Sequence, residues 1–111
     1  MSETPVTGTV RGGKGRYGEW VESLREQVLL GPGTLDSEIR VAAAAGSAVP
    51  RELSDYVEKV RARACEVEHR DVESLREAGY SEDQIFELTV SAALGAGFGR
   101  LESALALLGE E

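Results

Sequence analysis

The chain predicts an all-α fold, and three observations carry that prediction. Apolar residues recur at helical spacing from Tyr17 onward, as in Leu53, Tyr56, Val57 and Val60. No stretch alternates with period two long enough for a strand. Glycines and N-cap residues fall where helices should stop and start, most clearly at Gly79 and Ser81.

Met1 to Arg16 is rich in Gly and Thr and slightly basic, and reads as a flexible tail. Within it, Gly8 to Lys14 has the glycine–lysine spacing of a phosphate loop. Gly15 stands where a magnesium-binding Ser or Thr belongs, and no strand precedes the motif, so the reading is a tail. A single helical domain over 17–111 follows. Tyr17, Trp20, Val21, Leu24 and Val28 form the stripe of a first amphipathic helix, ended by Gly31 to Gly33. Thr34 or Asp36 caps a second, alanine-rich helix over about Leu35 to Ala45, stopped by Gly46. Pro50 suits a first helical position. From there Leu53, Tyr56, Val57, Val60, Ala64 and Val67 predict one continuous stripe.

Beyond Asp71 the pattern is a short helix, a stop and a long helix. Gly79 follows Val72, Leu75 and Ala78, where the positive φ of a helix C-terminus is cheapest for glycine. Ser81 and Gln84 have capping-box spacing, with Glu82 and Asp83 in the first turn facing the positive end of the helix dipole. Ile85, Leu88, Ala92 and Ala96 continue at helical spacing. The run Ala92, Ala93, Gly95, Ala96, Gly97, Gly99 is either a loop or a place of close helix–helix approach, since each glycine costs about 1 kcal/mol relative to alanine inside a helix. Phe98, Leu101, Leu105 and Leu108 resume the period, which favours packing, within the subunit or across an oligomer contact. The expected faces pair Ala92 with Ala96 and Gly95 with Gly99.

Composition narrows the function. A net charge of −8 disfavours a nucleic-acid phosphate track and an anionic membrane surface. No apolar run reaches the roughly 18–20 residues that span a bilayer, and no secretory h-region is visible, so the expected location is cytoplasmic. One cysteine excludes an intramolecular disulfide, and one histidine excludes a multi-histidine metal site; no cofactor or metal is called for.

The block from Asp71 to the C-terminus, especially Ala78 to Leu88 and the alanine-rich helix ending in Gly99 to Leu105, resembles the alkylhydroperoxidase-D-like / carboxymuconolactone decarboxylase superfamily. The similarity covers roughly Leu53 to Leu108. It implies an all-helical bundle, assembly as a trimer or hexamer with the small-residue helix at the contact, and a site near subunit contacts. Peroxidase members carry two cysteines, a histidine and a glutamate at set distances before the glycine stop. Counted back from Gly79, the histidine position holds Asp71, the second cysteine Val67, the first Ala64, and the glutamate Glu52. Dithiol peroxidase chemistry needs an attacking thiolate and a resolving thiol, and neither Ala64 nor Val67 supplies one.

A competing register uses Cys65 and His69, four apart on what the pattern predicts to be helix, where a histidine could activate a thiol. The alternative is an exposed cysteine beside an incidental histidine. The remaining charges read as a solvated face with pairs such as Glu66 with Arg70. Arg61, Arg63, Arg70 and Arg100 are candidates for lining a basic pocket, Arg100 by reaching into a crevice between subunits or else by lying on the surface. Glu52, Cys65, His69 and Asp71 are therefore the candidate site residues. Three functions stay open: a divergent member acting on or binding a small organic molecule, a catalytically silent oligomeric binding module, and a single-cysteine peroxidase using Cys65 with His69.

Overall fold

The computed structural model describes residues 15–109. The phosphate-loop-like motif and nearly all of the predicted tail lie outside them. Among the described residues there are five α-helices and no strand: α1 (Gly15–Leu30), α2 (Ser37–Ala45), α3 (Arg51–Arg63), α4 (His69–Glu77) and α5 (Glu82–Leu107), with one 3-10 turn at Ala64–Glu66. Among the described residues no helix is long and apolar enough to cross a membrane.

Local signals built most of the boundaries. The Asp36 carboxylate accepts from the Glu38 amide at 2.9 Å and starts α2, and Gly46 ends it with φ 72°. Pro50 precedes α3 rather than opening it, with ψ 143°. At the end of α4 the Gly79 amide bonds the Arg76 carbonyl and the Tyr80 amide bonds the Leu75 carbonyl, a Schellman stop that needs the positive φ of Gly79 (108°). Ser81 and Gln84 then form the predicted reciprocal cap, at 3.1 and 2.9 Å.

The core is built around α5, which packs mainly against α2 and α3. Leu53, Tyr56, Val57 and Val60 of α3 meet Leu75, Ile85, Leu88 and Ala92, with Leu35 and Ala43 closing the cluster. Tyr56 and Thr89 share a 2.7 Å hydrogen bond across α3 and α5; because the Thr89 hydroxyl also lies 2.7 Å from the Ile85 carbonyl, its proton goes there and Tyr56 donates. Ser91 and Ala92 are fully buried where α5 runs through the core.

The small-residue run is continuous helix, so the packing reading holds and the loop reading does not. The contact is internal. A Cβ on Gly95 would stand 2.5 Å from both Cα and carbonyl carbon of Ala44, and closer still to its oxygen, so α2 and α5 touch backbone to backbone. The predicted pairing of faces is corrected: Ser91, Ala92, Gly95 and Phe98 are buried, while Gly99 is exposed and a Cβ there would meet nothing.

Two further expectations change. Trp20 is 67% exposed; Val21 of the expected stripe is buried, and Leu29, outside it, is buried with it. The stripe from Leu53 does not run on as one helix through Ala64 and Val67. The Arg61 carbonyl, which an uninterrupted helix would offer to the Cys65 amide, accepts from Arg100 of α5 at 2.8 Å. The backbone leaves helical geometry at Arg63 (φ −144°, ψ 53°), Ala64 is exposed, and Val67 reaches the core from an extended segment.

Candidate functional site

The break after α3 decides what the candidate residues can do together. Cys65 sits in the 3-10 turn and is exposed, and His69 opens α4 after the extended residues Val67 and Glu68. They are not successive turns of one helix, so the geometry expected to bring thiol and imidazole together does not form. The His69 ring instead faces Glu73 one turn along α4, with Nε2 at 3.4 Å from the carboxylate.

Asp71 is the best-connected of the four. Its carboxylate accepts from the Glu68 amide at 2.7 Å, capping α4, and from Lys59 Nζ of α3 at 3.1 and 3.2 Å. The amide, and after it the ammonium, hold its carboxyl below the usual carboxylate range. The position that the resemblance gives to a histidine is thus occupied by a carboxylate joining α4 to α3. Glu52 lies elsewhere, exposed at the start of α3, where the Tyr80 hydroxyl donates to it at 2.7 Å. That donation, with the backbone amide of Glu52, lowers the Glu52 pKa, and the same bond raises that of Tyr80.

Cys65 and Asp71 line one open, largely polar groove together with Lys59, Glu66, Glu68 and Arg70; Glu52 and His69 are not among its lining residues. The charges there are already paired. Arg70 bonds Glu68 at 2.9 Å, and Arg63 bonds Glu66 at 3.1 Å, which replaces the expected Glu66–Arg70 pair. Among the described residues no group of three or more His, Cys, Asp or Glu side chains is placed to hold a metal ion.

The four arginines do not converge on a basic pocket. Arg61 donates to the carbonyls of Ala43 and Ala44 at 3.3 and 2.5 Å and so caps the C-terminus of α2. Arg100, which lies exposed on the surface, donates to the Arg61 carbonyl and caps the end of α3 in the same way. Arg63 and Arg70 pair with neighbours in sequence.

The most enclosed polar arrangement was missed by sequence reasoning. Arg40, only 5% exposed, fans its guanidinium to three carbonyls: Leu35 at 3.1 Å, Val28 at 2.9 Å and Gly31 at 2.8 Å. Facing the same loop from α5, Glu87 accepts from the Thr34 amide and hydroxyl and from the Leu35 amide at 2.8–3.1 Å. Burial raises the Glu87 pKa, but these donors and the charge of Arg40 outweigh it and leave the carboxyl lowered. Together they clamp the Gly31 to Leu35 connection from both sides. An arginine inside the alanine-rich α2 was the only available signal, since alanine alone would have completed that face.

Compared with known proteins, the chain matches no family model, no curated protein and no solved structure.

Proposed function

We propose that the chain is a divergent relative of the alkylhydroperoxidase-D-like / carboxymuconolactone decarboxylase superfamily, without the dithiol site, and that it binds a small organic molecule in a groove beside α4 near a subunit contact. The observation that carries this reading is the meeting of Cys65 and Asp71 in one groove with Lys59 and Arg70. Two cationic stems set among three carboxylates, beside a soft thiol, suit a small polar organic molecule. Ala64 and Val67 stand at the thiol positions implied by the resemblance, so dithiol turnover has no residues to run on.

A second reading, a catalytically silent oligomeric module, draws on a different observation: the groove's cations already have partners within the chain, Lys59 on Asp71 and Arg70 on Glu68. Amide chemical shifts separate the two. Titration with a panel of small carboxylates, phenols and hydroperoxides should move the amides of Cys65, Glu68 and Arg70 saturably if the groove is a binding site. No movement across the panel favours the silent module. Peroxide consumption that disappears in Cys65→Ser would instead support the single-cysteine peroxidase and overturn both.

A further inference from the structure

α5 is apolar on two opposite sides, and the chain uses only one of them. Ile85, Leu88, Ala92, Gly95 and Phe98 face inward and are buried. A second seam recurs at steps of three and four residues: Phe86, Val90 and Ala93, then Gly97, then Leu101, Ala104 and Leu108. At ~100° per residue its mean direction lies roughly 180° round the helix from the inward face. All of these are exposed except the partly buried Val90, with Phe86 at 67% and Leu108 at 75%. Of the charged residues between its ends, Glu87 and Glu102 fall off the seam, and Arg100 borders it beside Ala104. The outer face of a surface helix is ordinarily its charged face, and a helix apolar all round is ordinarily covered on both sides.

Gly97 adds an independent observation. Gly95 has its reason in the Ala44 backbone, but a Cβ on Gly97 would meet nothing within 4 Å. Inside a helix that glycine costs about 1 kcal/mol relative to alanine, and nothing within the described chain uses the space. The seam is also symmetric about it. Ala93 and Leu101 lie equally far on either side, as do Val90 and Ala104, and Phe86 and Leu108.

We propose that the outward face of α5 is a contact between two copies of this chain, packed antiparallel about a two-fold axis at Gly97. Such an axis sets Ala93 against Leu101 of the second copy, Val90 against Ala104, and Phe86 against Leu108. Small therefore meets large in the inner pairs, and glycine meets glycine where the helices cross most closely. A two-fold contact must be self-complementary, and this spacing satisfies that condition. Charge points the same way: a chain of net charge −8 can approach its own copy most easily over a face without carboxylates. From Phe86 to Leu108 the seam runs about 33 Å. At about 10 Å wide it falls short of the ~800 Å² per partner of a standard interface, so the pair should be weak and dissociate on dilution. This contact is separate from the groove beside α4, which no residue of α5 lines, so either proposal can fail without the other.

Sedimentation equilibrium of the full chain tests it. A monomer–dimer equilibrium is expected, tightening as salt screens the mutual repulsion. Gly97→Glu should weaken association by more than about tenfold (about 1.4 kcal/mol), while dilute samples melt no lower than wild type. In a Cys65→Ser background, Gly97→Cys should oxidise with copper–phenanthroline to a disulfide-linked dimer, because the axis brings the two Cα atoms together, and Gly99→Cys should not. A monomer at every concentration, or a dimer indifferent to Gly97→Glu and equally cross-linked through either position, would overturn the proposal.

Discussion

Adding one methyl group at Gly95 tests the central claim about packing. In Gly95→Ala the new Cβ would lie 2.5 Å from the Cα and carbonyl carbon of Ala44. Carbon atoms rest at about 3.5–4.0 Å, so α2 and α5 must separate locally by about 1 Å. The obstacle is backbone on both sides, and no side chain can rotate away. The Ala44 carbonyl also holds Arg61, so the displacement strains the cap of α2 as well. Overpacking a well-filled core costs about 1–3 kcal/mol, and here the upper part of that range applies because no rotamer relieves it. Alanine returns about 1 kcal/mol of helix propensity. The net expectation is a loss of about 1–2 kcal/mol, or a fall in Tm of several degrees for a domain of this size. Gly99→Ala is the matched control: the same propensity gain with open space around the new methyl predicts a rise of up to about 1 kcal/mol. Urea unfolding followed by circular dichroism reads both. The reasoning is refuted if Gly95→Ala is as stable as wild type, or if the two substitutions shift stability in the same direction.

Three other outcomes follow from the polar contacts. Arg40→Met should destabilise the fold by on the order of 3 kcal/mol in the same urea assay, since it strips three carbonyls of a charged donor; Arg40→Lys should recover little, because one ammonium cannot match the planar fan. Ser91→Ala should be neutral or stabilising by up to about 1 kcal/mol, because the fully buried Ser91 Oγ has no hydrogen-bond partner; a clear loss of stability would show that the hydroxyl is used. Glu87 has a lowered folded pKa, so its contribution is present above the unfolded carboxylate value near 4.3 and disappears as pH falls through the lower folded one. Hydrogen exchange of the Thr34 and Leu35 amides should therefore gain protection relative to Glu87→Gln above that window, and the difference should vanish below it.

The helix stops and starts were legible because their causes are local. Gly46, Gly79 and the Ser81–Gln84 pair act on backbone groups within a few residues, so spacing alone reveals them. The candidate site was legible only in part, for the opposite reason. Cys65 and His69 have helical spacing in the chain, but Arg100, far along α5, takes the Arg61 carbonyl and the helix ends before it reaches them. Asp71 could be picked out by counting from Gly79, yet its partners, the Glu68 amide and Lys59, are set by how α4 docks on α3.

By itself, then, the sequence determined an all-helical chain and most of its helix ends, and favoured a helix through the small-residue run, since period and capping are properties of neighbours along the chain. Tertiary structure alone decided which small residue is indispensable and which arginines are structural. Gly95 and Gly99 are the same residue in the same helix; only the approach of Ala44 makes one of them a contact and leaves the other open. Likewise Arg40, Arg61 and Arg100 resemble surface charges in the sequence, and become helix caps because folding brings unsatisfied carbonyls from other elements within their reach.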